Sequence, residues 1–338
     1  MRDMVSTRVR EAKWRAQARA RRELEEMEPS YRRLLARGEL RTRVAAAYEL
    51  LRACRLCPRA CGVDRLRGQR GACGEGATVR LSSWTLHPWE EPPLSGWRGS
   101  GTLFVSGCTG RCLFCQNYPI SQLHHGQEVS VTRLAEMMLE LQYRGAHNIN
   151  LVSGTHFVPQ WLAAVEVAAT AGLRIPLVYN TSGYEQVEVL RLLEDVVDLC
   201  LPDAKYADEE VATRLSGFRE YVRHNRLALL EMHRQVGSEL RLDSQGIARR
   251  GLIIRHLVLP ESLAGTERVF AWIAAHLGTE VHISLMGQYF PAYRAVGDPV
   301  LGRPVTTLEY EAAIHAVQAM GFARGWVQEV GECEALTS

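Results

Sequence analysis

Gly101-Thr102-Leu103-Phe104-Val105-Ser106-Gly107-Cys108-Thr109-Gly110-Arg111-Cys112-Leu113-Phe114-Cys115 decides how this chain is read. A strand-like apolar run passes through a glycine into a loop that carries three thiols within eight residues. An ordinary core does not concentrate cysteines in this way. Short loops let consecutive thiolates converge on neighbouring irons, so C-x3-C-x2-C suits three corners of a cubic iron–sulfur cluster and leaves the fourth iron without a cysteine. Zinc is the competing reading. Structural zinc usually takes four ligands, and a catalytic three-cysteine zinc loop at this spacing is uncommon.

The missing ligand has chemical meaning. An iron with an open position can be chelated by the amino and carboxylate groups of S-adenosylmethionine (SAM). One electron from the cluster would then break the sulfonium bond and leave a 5′-deoxyadenosyl radical that abstracts hydrogen. The spacing, Phe114 before the last cysteine and the preceding strand together resemble the radical SAM superfamily.

At 338 residues with 46% hydrophobic residues, the chain can bury a large core, and one barrel-sized domain with a modest extension fits this size. A net charge of +2 favours no particular partner. No run of roughly twenty apolar residues is present, so no membrane span is expected. The arginine-rich start lacks an apolar signal core, which makes a cytoplasmic location the expectation. Nine cysteines are then better explained by metal ligation than by disulfides. Cys200, within an apolar run, reads as a small buried hydrophobe, and Cys333 belongs to a polar tail.

Residues 1–50 read as a helical extension, with Arg15, Arg19, Arg22, Glu23 and Glu26 on a charged face and Pro29-Ser30 breaking it before a second helix. Acidic residues interrupt the arginines and no stacking aromatics accompany them, so nucleic acid is not predicted. Residues 51–99 form a cysteine-rich segment in which Cys54, Cys57, Cys61 and Cys73 give C-x2-C-x3-C-x11-C. Four thiolates suffice to close a second site. Zinc and a fully ligated Fe–S cluster both satisfy that count. The segment from Trp84 to Pro93 reads as extended, with His87 structural rather than a ligand.

From residue 100 to 338 the pattern repeats. Strand-like runs at Asn148–Ser153, Ile175–Asn180, Val197–Asp203, Leu252–Leu259 and Val281–Met286 alternate with helical periodicities that begin at Val131 and end near Met320. With the strand before the triad, six strand–helix units predict an α/β fold with a parallel sheet, a partial TIM-type (β/α)6 barrel. Ligands gather where the strands end, so Ser153-Gly154-Thr155-His156, Asn180-Thr181-Ser182-Gly183, Asp203-Ala204-Lys205 and Met286-Gly287-Gln288-Tyr289 are candidate site segments, with Arg294 also near the mouth. Glu231 to Gly237 ends a helix, where His233 reads as a partner of the helix dipole.

Over Cys54 to Tyr293 the chain is similar to the branch of the superfamily described as homologues of pyruvate formate-lyase activating enzyme. The stretches that carry this are Glu90-Glu91-Pro92-Pro93-Leu94-Ser95-Gly96, Phe104 to Ser121, Thr155 to Gln160, Tyr179 to Tyr184, Leu201 to Tyr206, Glu231 to Gly237 and Arg255 to Pro260. The resemblance implies that Cys108, Cys112 and Cys115 ligate a 4Fe–4S cluster. It further implies that Phe114 lies near the adenine of SAM and that Gln116 and Asn117 border the cofactor. Asn180, Ser182, Asp203 and Lys205 match strand-end positions that surround it in relatives. The Gly-Gly-Glu that holds the methionine amino group in activating enzymes is replaced here by Ser153-Gly154-Thr155-His156, which puts Thr155 or His156 forward as the acceptor. The resemblance also implies a reduced flavodoxin- or ferredoxin-type electron donor and hydrogen abstraction from a protein substrate. The alternatives are a radical SAM enzyme acting on a small molecule or peptide, and a non-catalytic metal-binding or electron-transfer protein.

Overall fold

The computed structural model describes residues 28–328; the charged face from Arg15 to Glu26 and the lone Cys333 lie outside them. Helices α1 (Ser30–Ala36) and α2 (Glu39–Glu49) open the described chain, separated by Gly38 at φ 73°. Tyr31, Leu34 and Leu40 are fully buried. The Ser30 N–H donates to Asp198 at 2.8 Å, and the Tyr31 hydroxyl donates to the Ile175 carbonyl at 3.1 Å. These helices are thus part of the main core.

After the first cysteine group come β1 (Val79–His87), α3 (Pro92–Ser95) and β2 (Ser100–Val105), and after the triad α4 (Tyr118–Ser121) and β3 (Gln127–Val129). Then follow α5 (Val131–Tyr143), β4 (Ile149–Val152), α6 (Val158–Thr170), β5 (Leu177–Thr181), α7 (Val187–Leu192) and β6 (Leu199–Pro202). The last part holds α8 (Glu209–Ser216), α9 (Tyr221–Val236), β7 (Arg241–Leu242), β8 (Ala248–Leu257), α10 (Thr266–Leu277), β9 (His282–Met286), α11 (Thr307–Ala319) and β10 (Gly325–Val327). Helix α5 illustrates the local logic. Ser130 caps its first turn by accepting from the Arg133 N–H, and Leu134, Met137, Met138 and Leu141 bury one face at helical spacing.

One sheet runs β10-β9-β8-β6-β5-β4-β2-β1-β3, with β7 on β8. Strands β2, β4, β5, β6, β8, β9 and β10 pair in parallel. The six expected strand–helix units are present from β2 to α11, and β10 adds a short seventh parallel strand. The extended segment before the triad is in part β1, hydrogen-bonded antiparallel to β2. The sheet therefore continues without a break across residue 99.

The two faces of the sheet differ. Leu103, Ile149, Leu151, Leu177, Tyr179, Cys200, Leu252 and Ile254 join the helices in the large core. Full burial of such an aliphatic side chain contributes about 1.5–3 kcal/mol. On the other face Leu94 of α3 inserts among Val178, Leu199, Leu201 and Ile253, filling the barrel interior at one level. Another level is ionic: Arg255 donates to both oxygens of Glu91, at 2.8 and 2.7 Å, and to Glu90. Burial alone would raise the Glu91 carboxyl, but the Arg255 guanidinium outweighs it and leaves Glu91 below its ordinary value. Asn150 donates to the free Glu90 oxygen at 3.0 Å.

Candidate functional site

The triad loop leaves the carboxyl end of β2 through Gly107, whose φ of 74° favours glycine. A Cβ here would stand 2.6 Å from Glu75 Cγ and 2.8 Å from the Cys73 carbonyl. Each thiol of the loop has a polar neighbour. The Gly110 N–H donates to Cys108 Sγ at 3.3 Å, the Ser216 hydroxyl donates to Cys112 Sγ at 3.0 Å, and Ser121 Oγ lies 3.1 Å from Cys115 Sγ. Burial pushes the Cys108 thiol up to about 12, and the neighbouring Cys112 and Cys115 add to this. Burial raises Cys112 as well, against the pull of Lys205.

Lys205 is the cation that faces these sulfurs. It sits beyond the end of β6 and pairs with Asp203 at 2.6 Å, with side chains only 19% and 17% exposed. This is a sheltered pair, not a surface one. Burial works against the ammonium charge, but Asp203, Cys112 and Cys108 together hold its pKa above the ordinary value.

Among the described residues no group of three or more His, Cys, Asp or Glu side chains stands gathered as a ready-made ion site. The fit to a cluster rests on donor chemistry. Three thiols of one loop, two of them with a hydrogen-bond donor aimed at the sulfur and the same two facing one lysine, suit the anionic sulfurs of a thiolate-bound cluster.

The other candidate residues divide into two sets. Phe114 is buried and meets Tyr289 edge to face at 5.5 Å. Gln116 is exposed and donates to the Gln288 carbonyl at 3.1 Å, joining the triad loop to the end of β9. Asn117, also exposed, accepts through its carbonyl from the Ser121 N–H at 2.9 Å and so closes α4. Asn180 and Ser182 are 8% exposed at the end of β5, where the Ser182 carbonyl accepts from Tyr221. With Asp203 and Lys205, these residues belong to strand ends and loops on the triad side of the sheet.

Thr155 and His156 behave differently from expectation. Ser153 at φ 52° leads into a short 3-10 turn over Thr155–Phe157, which directs both side chains inward. The Thr155 hydroxyl donates to Glu185 at 2.7 Å, and His156 Nε2 is hydrogen-bonded to the Ser106 carbonyl at 2.8 Å. Burial lowers His156 to about 3, so the ring is neutral. Both residues are committed to protein partners and are 2% exposed. His233 lies at the opposite end of the barrel from the strand ends and bonds Ser238 at 2.7 Å, so it does not line the mouth.

Sequence reasoning missed Glu185. It is fully buried and accepts from Thr155, Thr181 and the Tyr179 hydroxyl with no cation beside it. Burial raises its carboxyl to about 7. The apolar neighbours Tyr184 and Val187 gave no hint of it. The first cysteine group lies close by: Cys54, Cys57 and Cys73 are 6–8% exposed, and Cys57 feels the charge of Glu185. Burial raises the Cys57 and Cys73 thiols, against the pull of Arg65 at Cys73, and neighbouring cysteines of the group add to the rise.

The fold and site define an α/β protein of partial-barrel type with a thiol triad at the end of its first parallel strand. The model of the radical SAM superfamily matches residues 102–242. An uncharacterized protein of Methanocaldococcus jannaschii is 30% identical over 286 residues, covering 82% of this chain and 77% of that protein. Residues 102–242 thus form a radical SAM superfamily domain. Among solved structures, native anSMEcpe with bound AdoMet aligns with TM-score 0.44 and 10% identity over 63% of this chain and 57% of that one. HydG, a maturase of the FeFe-hydrogenase, aligns with TM-score 0.44 and 12% identity over 64% and 48%. The chain thus spans about half the length of these two proteins.

Proposed function

We propose that this protein is a radical SAM enzyme whose cluster is held by Cys108, Cys112 and Cys115. The observation that carries the reading is the triad at the end of β2 with Lys205, from the end of β6, facing two of its thiols. A 4Fe–4S cluster bound there with SAM supplies one-electron cleavage of the sulfonium bond and hence a 5′-deoxyadenosyl radical. The chain's own contribution is placement. Phe114 packed on Tyr289 offers an aromatic wall for an adenine, and by the resemblance Gln116, Asn117, Asn180 and Ser182 would border the cofactor. Asp203 and Lys205 present opposite charges to the ammonium and carboxylate of a methionyl group.

The substrate reading follows from the barrel interior. Leu94 and the Glu91–Arg255 pair occupy the barrel interior, which supports a substrate site at the rim. A shallow rim favours a polypeptide loop over a small molecule enclosed in the barrel. This supports an activase-like role, hydrogen abstraction from a backbone glycine of a partner protein, with a flavodoxin- or ferredoxin-type reductant as electron donor. The group Cys54, Cys57, Cys61 and Cys73 is proposed as a second metal site, zinc or Fe–S.

The test is anaerobic iron, sulfide and zinc analysis of the wild type beside Cys112→Ala, with a 5′-deoxyadenosine assay under reduction. The expected result is deoxyadenosine from the wild type alone and loss of one cluster's iron in the variant. A wild type that holds only zinc and cleaves nothing after reconstitution would overturn the reading.

A further inference from the structure

Each cysteine loop reaches into the other with an arginine. Arg59, two residues after Cys57, donates through Nε to the carbonyl of Thr109, the residue after Cys108, and through Nη2 to the Gly217 carbonyl at 2.8 Å. In the reverse direction Arg111, the residue before Cys112, donates to the carbonyl of Ala72, the residue before Cys73. The backbone of the triad loop is fixed on its far side as well. The Arg111 and Leu113 N–H groups donate to Ser216 and Leu215 at 2.8 Å. A Cβ on Gly217 would lie 3.3 Å from Arg111 Cβ and 3.6 Å from Arg59 Nη2, so both arginines converge on the end of α8.

Further contacts bind the first loop to the strand ends. His124 Nδ1 is hydrogen-bonded to Glu75 at 2.7 Å, and a Cβ on Gly74 would lie 2.4 Å from the His124 ring. Arg65, 1% exposed, donates to the His156 carbonyl at 2.6 Å and to Gly76. Residues 57–77 therefore form a collar on the triad side of β2 and β4.

We propose that Arg59 and Arg111 are positioning residues that make the two cysteine loops one interdependent centre. The first loop sets the backbone shape in which the triad holds its cluster, so the state of Cys54, Cys57, Cys61 and Cys73 governs the triad from outside its own ligand set. The distinguishing feature is where the bonds land. Both arginines meet carbonyls adjacent to candidate ligand cysteines of the opposite loop, so movement of one loop must shift the other. This rests on the triad being the cluster site.

The experiment uses the full chain, reconstituted anaerobically, as wild type, Arg59→Ala, Arg59→Lys, Arg111→Ala and Cys61→Ser. Arg241→Ala, on an exposed strand, is the control, and Cys112→Ala reports iron held by the first loop alone. Iron release to a ferrous chelator and the electron paramagnetic resonance spectrum of the reduced cluster, with and without SAM, are measured beside circular dichroism. Outer-shell deletions typically cost about 10–100-fold. Arg59→Ala, Arg111→Ala and Cys61→Ser should release triad iron at least about tenfold faster and blunt the SAM-induced spectral change, and Arg59→Lys should restore part of both. Folded Arg59→Ala and Cys61→Ser proteins with wild-type release and wild-type spectra would sink the inference. If Arg59→Ala does not fold, wild-type behaviour of a folded Cys61→Ser protein does so alone. A wild type that takes up no iron and sulfide would instead sink the reading of the triad itself.

Discussion

The two cysteine loops use the same chemistry in opposite surroundings. Cys54, Cys57 and Cys73 are buried, with Cys61 half-buried, in a segment anchored by Arg65 and Glu75, whereas Cys108, Cys112 and Cys115 are all half-buried at a strand end beside Lys205. Buried thiols suit a metal that stays put. A half-open loop suits one that must meet a ligand and an electron. The difference teaches that two cysteine groups of similar spacing can be set apart by exposure, the property on which thiol reactivity depends.

The strongest break of that comparison is Lys205→Ala. Removing the sheltered cation leaves Asp203 unpaired near the thiols, and SAM cleavage measured as 5′-deoxyadenosine should fall by on the order of a hundredfold. An unchanged rate would mean that Lys205 does not serve the triad. Next is Glu91→Ala, which leaves Arg255 facing Glu90 alone inside the barrel. Breaking a buried pair costs about 3–5 kcal/mol, to be read by urea denaturation. A loss below about 1 kcal/mol would demote the ionic layer to a surface-like pair.

Glu185→Gln sharpens the comparison through pH. The folded carboxyl is raised from 4.5 to about 7 by burial, so the native state holds its proton more tightly than the unfolded chain. This stabilisation is present below about 4.5 and is lost as pH rises through about 7. Relative to wild type, the glutamine variant should therefore gain about 2–3 kcal/mol between pH 4.5 and 8. A difference that does not vary with pH would place the carboxyl elsewhere than in this apolar setting. The smallest effect belongs to Cys200→Ala. This thiol is 4% exposed in the core, and burial lifts it to about 12, so no metal content should change and stability should drop by only about 1 kcal/mol. Loss of metal from this variant would contradict the inert reading.

Much of the fold was legible because hydrophobic periodicity is a local signal. The runs before Gly107, Ser153, Asn180 and Asp203 all end in strands whose loops carry polar residues. Strand β10 escaped notice because three residues carry no period, and β1 was anticipated only from Trp84 onward, because burial alternates at Val79 and Leu81 alone and the rest of the strand shows no period of two. At the site, the triad and the Asp203–Lys205 pair could be found from strand ends alone. Thr155 and His156 could not be oriented, because the positive φ at Ser153 turns the chain before their side chains emerge. Arg59, Arg111 and the Glu91–Arg255 pair were invisible because their partners lie far off in sequence, and spacing carries no sign of such pairs.

The ionic layer also sets an order of events during synthesis. Glu91 and Arg255 are 164 residues apart, so at roughly 5–20 residues per second the arginine is made on the order of ten to thirty seconds after the carboxylate. Until then β2, β4 and β5 can pair, but the interior carries two unneutralised carboxylates that resist burial. Both cysteine loops are already complete by that time. Metal offered during this interval meets thiols on an unclosed scaffold, so the late arrival of one arginine separates the making of the cysteine loops from the closing of the barrel around them.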